Sequence, residues 1–163
     1  MFKKILAILT VLLMFATFCG CNSEKAQDKK AKDTKATVNG EELSFNDIMK
    51  KTDGDAMSFY SNYAERKVEI TGTVEKIEKG SYTLMSRSVS VWKVYLKEGW
   101  LAYLLVSDDA KHIEQIKAGD TVTIKSAMSK YDSSVGYIEM EDISLSGTGS
   151  NTTYRDDSTI VKK

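Results

Sequence analysis

The chain has one histidine, and its two cysteines, Cys19 and Cys21, stand two residues apart near the start. That scarcity removes the clustered Cys and His ligands a zinc centre needs. It also leaves little for imidazole catalysis, because His112 falls mid-helix between Lys111 and Ile113, where a solvated or half-packed side chain is expected. A bilayer-spanning run is missing too. The apolar stretch "ILAILTVLLMFATF" at 5–18 has fourteen residues, against the ~20 a spanning helix needs. Charge of one sign is the last absence. The formal net charge is zero, and residues 44–147 carry 13 Lys/Arg against 16 Asp/Glu, a net charge of −3. Domains that grip nucleic acid through phosphates are usually basic, so that partner class is disfavoured.

What is present begins with an export pattern. Met-Phe-Lys-Lys, an apolar stretch and then small residues match the basic, hydrophobic and cleavage regions of a signal segment. Phe18-Cys19-Gly20-Cys21 resembles a bacterial lipobox, with Gly20 just before the cysteine that takes lipid. Phe18 and Cys19 depart from the usual Leu and Ala or Ser, and bulky Phe18 excludes Cys19 as the modified residue. Cleavage before Cys21 discards Cys19 and leaves one lipid-capped cysteine, so no disulfide or cysteine metal site remains. One acyl chain anchors only marginally; the diacylglyceryl and N-acyl groups implied by the resemblance supply the second signal. The expected organisation is a signal peptide at 1–20, a lipidated flexible tether at 21–43, a folded domain at 44–147 and a polar C-terminal tail at 148–163. The tether assignment rests on five lysines and three acids between residues 22 and 37 with almost nothing apolar.

Along the domain, "SFNDIMKK" has an N-cap serine with an acid three residues on, "DGD" breaks the run, and "AMSFYSNYAERK" has helical periodicity with Ala56, Tyr60, Tyr63 and Ala64 on one face. From Lys67 the period changes to two. "KVEITGTVEKIEKG" is a half-buried strand in which Gly72 suggests a bulge or sharp coil, and Lys79-Gly80 ends it. "SYTLMSRSVSVWKVYL" makes one long or two short strands with Arg87 near the break, and "WLAYLLV" is apolar on both faces. "SDDAKHIEQIKAGD" reads as a helix with acids in the first turn and Gly119 past its end. "TVTIKSAM" and "VGYIEMEDISLSG" complete the set, followed by a polar, frayed tail.

The order of helix, three strands, helix and two strands is that of a mainly β domain. It fits a five-stranded OB-fold Greek-key barrel with an N-terminal helix and a helix between strands three and four. "YAERKVEITGTVEKIEKG", "IEQIKAGDTVTIKS" and "YIEMEDISL" resemble the bacterial tRNA-anticodon-type (tRNA_anti-like) OB domains of small exported proteins, over roughly residues 55–146. Ile143 stands where that pattern often has Cys. The shared features are glycines and alternating apolar positions, so they imply fold rather than ligand, and no tRNA partner follows for an exported lipoprotein.

Catalytic constellations are wanting. Asp108-Asp109 read as helix capping, and Ser90-Val-Trp-Lys93 matches Ser-x-x-Lys but lies in a β run without its partner motifs. "GTGS" at 147–150 lacks the Lys and following helix of a phosphate loop. No metal, cofactor or enzyme activity is expected. Binding is the better prospect, since OB folds use strands two and three and the loops flanking them. Tyr82, Trp92, Trp100 and Tyr103 lie in that region, with at least one tryptophan expected in the core; Arg87, Lys93, Tyr95 and Tyr131 are the candidate ligand face. The expected function is an extracytoplasmic binding module for a cell-envelope protein or oligosaccharide, joined to the membrane through lipid on Cys21. A purely structural or assembly lipoprotein, a single-stranded nucleic-acid binder and a hydrolase are the alternatives. The Lys-rich tether and the lack of Asp after Cys21 fit a Gram-positive surface.

Overall fold

The computed structural model describes residues 31–147 and 152–163. Cys21, the signal segment and the tether up to residue 30 lie outside the described residues. In chain order the elements are β1 (Lys35–Val38), β2 (Glu41–Ser44), α1 (Phe45–Thr52), α2 (Ala56–Tyr63), β3 (Lys67–Leu84), β4 (Arg87–Leu96) and β5 (Trp100–Leu105). A 3-10 segment (Asp108–Gln115) follows, then β6 (Thr121–Asp132), β7 (Tyr137–Met140), β8 (Ile143–Ser146), β9 (Thr153–Asp156) and β10 (Thr159–Lys162).

The protein is mainly β, and its principal sheet closes on itself. β3 pairs with β4, β4 with β5, β5 with β7, β7 with β6 and β6 with β3 again, with β5–β7 the parallel step. This barrel-like closure is consistent with an OB-fold. Alternation along each strand fills the interior: Ile70 and Val74 from β3, Val94 and Leu96 from β4, Trp100 and Ala102 from β5, Ile124 and Met128 from β6, and Ile138 and Met140 from β7 are all buried. Each fully buried large side chain contributes about 1.5–3 kcal/mol relative to exposure. Trp100 is thus the core tryptophan, and Trp92 is half-buried against the same core, with the Lys79 ammonium 4.5 Å from its ring centre.

Two short helices cover one end of the barrel. Ser44 Oγ accepts from the Asp47 N–H at 3.1 Å while Asp47 Oδ2 accepts from the Ser44 N–H at 2.9 Å, the reciprocal cap that starts α1. Asp55 Oδ2 accepts from the Ser58 N–H at 2.6 Å and starts α2. The buried face of α2 is Phe59 and Tyr63, spaced i,i+4, rather than the expected Tyr60 and Tyr63; Tyr60 is exposed.

Five further expectations are corrected. Residues 35–44 are a β-hairpin in the sheet, not tether: Asn39-Gly40, with φ of 48° and 86°, makes the turn, and Ala36, Val38 and Leu43 bury against the core. β3 does not stop at Gly80 but runs to Leu84, turning at Met85-Ser86 (φ 46° and 66°). The expected helix after β5 is a 3-10 segment, and Ser107 at its start makes no side-chain cap. The tail is not frayed where described: β10 pairs with β6, Ile160 opposite Ile124, and β9 pairs with β8. The last predicted strand divides at 141–142 into β7 in the barrel and β8 outside it.

Candidate ligand face

The outward side chains of β4 form a row: Arg87, Val89, Val91, Lys93 and Tyr95, alternate residues about 7 Å apart along the strand. The register sets Leu84, Tyr82, Gly80, Glu78 and Lys76 of β3 opposite that row, and Leu105, Tyr103 and Leu101 of β5 on its other side. The sheet outer face is therefore tyrosine-rich because the odd positions of β4 and β5 point away from a core that Val94, Leu96, Trp100 and Ala102 already fill.

Specific contacts order it. The Tyr82 and Tyr103 ring centres are 4.8 Å apart, and Tyr95 meets Tyr137 edge-on at 5.4 Å. The Lys93 ammonium sits 5.8 Å from the Tyr103 ring centre and that of Lys76 sits 5.1 Å from Tyr95. The Tyr95 hydroxyl donates to Glu78 at 3.2 Å and the Tyr137 hydroxyl to Glu75 at 2.7 Å. Lys93 lies across Gly80, where a Cβ would stand 2.8 Å from its Cε. Gly80, expected as a strand end, instead clears the path of the lysine.

Glu139 of β7 is the unforeseen member. It is buried, with Lys130 Nζ 3.5 Å away, and burial pushes its carboxyl above the ordinary range against the pull of Lys130 and Tyr103. Burial likewise raises the phenols of Tyr82 and Tyr103, each raised further by a carboxylate, Glu141 and Glu139 respectively. Both therefore stay neutral, as stacking surfaces and hydrogen-bond donors. No sequence signal marks Glu139 beyond its place between Ile138 and Met140, which face inward.

Three of the four predicted face residues thus share one row. Lys93 and Tyr95 are half-exposed at one end, and Arg87 is exposed at the other, by the hairpin turn. Tyr131 is separated from them. It pairs with inward-facing Ile138 and packs on Phe45 and Phe59, at centroid distances of 6.2 and 6.4 Å, beneath the helices. The C-terminal strands also reshape the platform: Ile143 of β8 and Tyr154 of β9 pack over Val89, Val91, Leu101 and Tyr103. What stays accessible is the Lys76, Lys93, Tyr95 and Tyr137 end.

Catalytic geometry does not assemble around these groups. Ser90 and Lys93 are three apart on one strand and so point to opposite faces. His112 is exposed on the 3-10 segment, and the side chains of Asp108 and Asp109 are outside the described residues. Among the described residues, no group of three or more His, Cys, Asp or Glu is placed to hold a metal ion.

No curated protein and no solved structure matches the chain. Residues 1–137 match the tRNA_anti-like family. Because that match covers most of the 163 residues and takes in the barrel strands through Tyr137, the chain belongs to the tRNA_anti-like family.

Proposed function

We propose that this protein is an extracytoplasmic lipoprotein, held to the membrane through lipid on Cys21, whose barrel is a non-enzymatic binding module for a cell-envelope oligosaccharide. In this reading β3 to β7 are the five strands of an OB-fold Greek key, with the 3-10 segment between the third and fourth. The order of pairing and the parallel β5–β7 step support that assignment. The N-terminal export pattern, the Lys-rich run and the lack of Asp after Cys21 support the address, a Gram-positive surface.

The observation that carries the ligand class is the half-exposed Tyr95–Tyr137 pair flanked by Lys76 and Lys93, with Tyr95 and Lys93 on β4, the second barrel strand and one of those that OB folds use for ligands. Neutral tyrosine rings offer flat surfaces for the apolar faces of sugars, and hydroxyls and ammonium groups can reach ring substituents. Lys76 pairs with Glu78 and Lys130 with Glu139, and Glu75 accepts from Tyr137, so the face lacks the basic excess that a phosphate backbone favours.

The test is the amide NMR spectrum of the full chain before and after cell-wall glycan fragments, then single-stranded oligonucleotides. The glycan is expected to move signals within 76–95, 101–105 and 137, and Tyr95→Ala to weaken binding by about tenfold, the low end of what an aromatic stacking platform contributes. A spectrum indifferent to glycan would remove this reading. A protein contact is the second reading, favoured by Met57 and Tyr60, 72% and 61% exposed within one turn of α2.

A further inference from the structure

Beyond the tyrosine platform, a second concavity opens where β5 runs into the 3-10 segment. β9 and β10 wall it on the other side, and it encloses about 350 Å³, within the usual range for small-molecule sites. Its floor is apolar and rigid: Leu104, Ile113 and Ile160 are 3%, 2% and 4% exposed and belong to the main core. The rim brings Asp156, His112 and Tyr154 to the same space. The clefts elsewhere differ in kind. The one between β1, β3 and β6 holds Lys67 paired with Asp142 and Lys125 paired with Glu69, so its charges are already answered.

Asp156 is the distinguishing group. Its Oδ2 accepts from the Leu105 N–H at 2.7 Å and its Oδ1 from the Ser158 N–H at 2.9 Å. These backbone donors and the Ser158 hydroxyl are all neutral, so they fix the carboxylate without cancelling its charge. The neighbouring guanidinium, Arg155, is engaged with Asp157 at 2.7 Å. Burial holds the Asp156 carboxyl above its ordinary range. Among the described residues no ion pair neutralises this positioned charge, and beside an apolar floor it is best satisfied by a cation carrying its own apolar group.

We propose that this cleft binds a small organic cation, its ammonium on the Asp156 carboxylate and a compact apolar group on Leu104, Ile113 and Ile160. Tyr154 supplies an aromatic wall beside the cation. If Asp156 only braced the turn into β10, a bound amine and its neutral analogue would be indistinguishable.

The deciding experiment titrates the full 15N-labelled chain with 2-phenylethylamine, 2-phenylethanol and 3-phenylpropanoate. The amine is expected to shift the amide signals of 104–107, 113 and 158–160 saturably, at least tenfold more tightly than the alcohol, with the carboxylate weakest. Asp156→Asn should erase the preference for the amine. Equal affinity for amine and alcohol, absence of a saturable shift, or an amine preference that survives in the folded Asp156→Asn protein would each overturn the proposal. Should that variant not fold, the comparison of the three probes on the unaltered chain still decides. Glycan does not enter this titration, and the signals of 106–107, 113 and 158–160 lie outside the platform set, so this outcome stands apart from that of the oligosaccharide test.

Discussion

Gly72 shows how one missing side chain can support a buried charge. A Cβ at this position would fall 2.5 Å from Glu98 Oε2 and 2.9 Å from its Cδ, well inside contact distance. Glu98 is 6% exposed, and both carboxylate oxygens accept from the Thr73 N–H, at 3.1 and 3.0 Å. The carboxyl has no room to retreat without losing that donor, and burial already holds its pKa above the ordinary range. Gly72→Ala should therefore cost about 2–3 kcal/mol, the scale of stranding a buried polar group, read as a lowered denaturant midpoint. Adding Glu98→Ala to Gly72→Ala should restore part of that loss. A Gly72→Ala protein as stable as the parent would show that Glu98 is not held there.

At the scale of elements, turns explain much of what the sequence did and did not disclose. Period-two alternation located β3 and β6, a run apolar on both faces located β5, and the Ser44/Asp47 pattern located α1, because these signals are local and each residue's neighbours suffice to reveal them. The hairpin of β1 and β2 carried an equally local signal, Asn39-Gly40 between Val38 and Glu41, but low apolar content around it pointed to a tether. Its three buried residues gain their burial only from β3 and the helices, which no window of the sequence contains. The ligand face divides the same way. Strand parity put Arg87, Lys93 and Tyr95 on one row, whereas Tyr131 depended on a register shift between Met128 and Lys130 that alternation does not announce. The two glycine turns test the argument. Gly40 has φ +86° and open space around a Cβ, so Gly40→Ala should cost only the backbone term, about 1 kcal/mol. Gly99 has φ +87° and a Cβ there would lie 2.7 Å from the Phe45 ring, so Gly99→Ala should cost clearly more, about 3 kcal/mol once overpacking is added. Equal thermal shifts for the two variants would contradict the packing placed at Phe45.

For the whole molecule, the carboxyls that the fold shifts fall into two sets that act in opposite directions with pH. Glu98, Glu139 and Asp156 have carboxyls raised chiefly by burial. A raised folded-state value means that the native protein holds more protons than the unfolded chain, so stability is full below the unfolded value and is lost as pH rises through the folded one. Asp47, Asp55, Asp120 and Asp132 behave oppositely. The Lys35 hydrogen bond and the Ser44 cap bring Asp47 down to about 2, and Ser58, Lys162 and Ser134 lower the other three. Their contribution is present above the unfolded carboxyl range, near about 4, and disappears as pH falls through the folded values. The unfolding midpoint should thus rise as pH is lowered from neutrality toward the unfolded carboxyl range, pass through a maximum in mild acid, and fall below about 4. Glu139→Gln removes one buried charge and keeps the side-chain volume, so it should stabilise the protein at neutral pH and flatten the upper limb, with the gain fading as pH approaches 4. Thermal unfolding of both proteins between pH 3 and 8 provides the measurement. A midpoint that falls steadily from pH 7 downward, or a Glu139→Gln protein less stable than the parent at neutral pH, would show that Lys130 and Tyr103 outweigh burial at Glu139, and that the charged face is favourable to the fold rather than a cost the barrel bears.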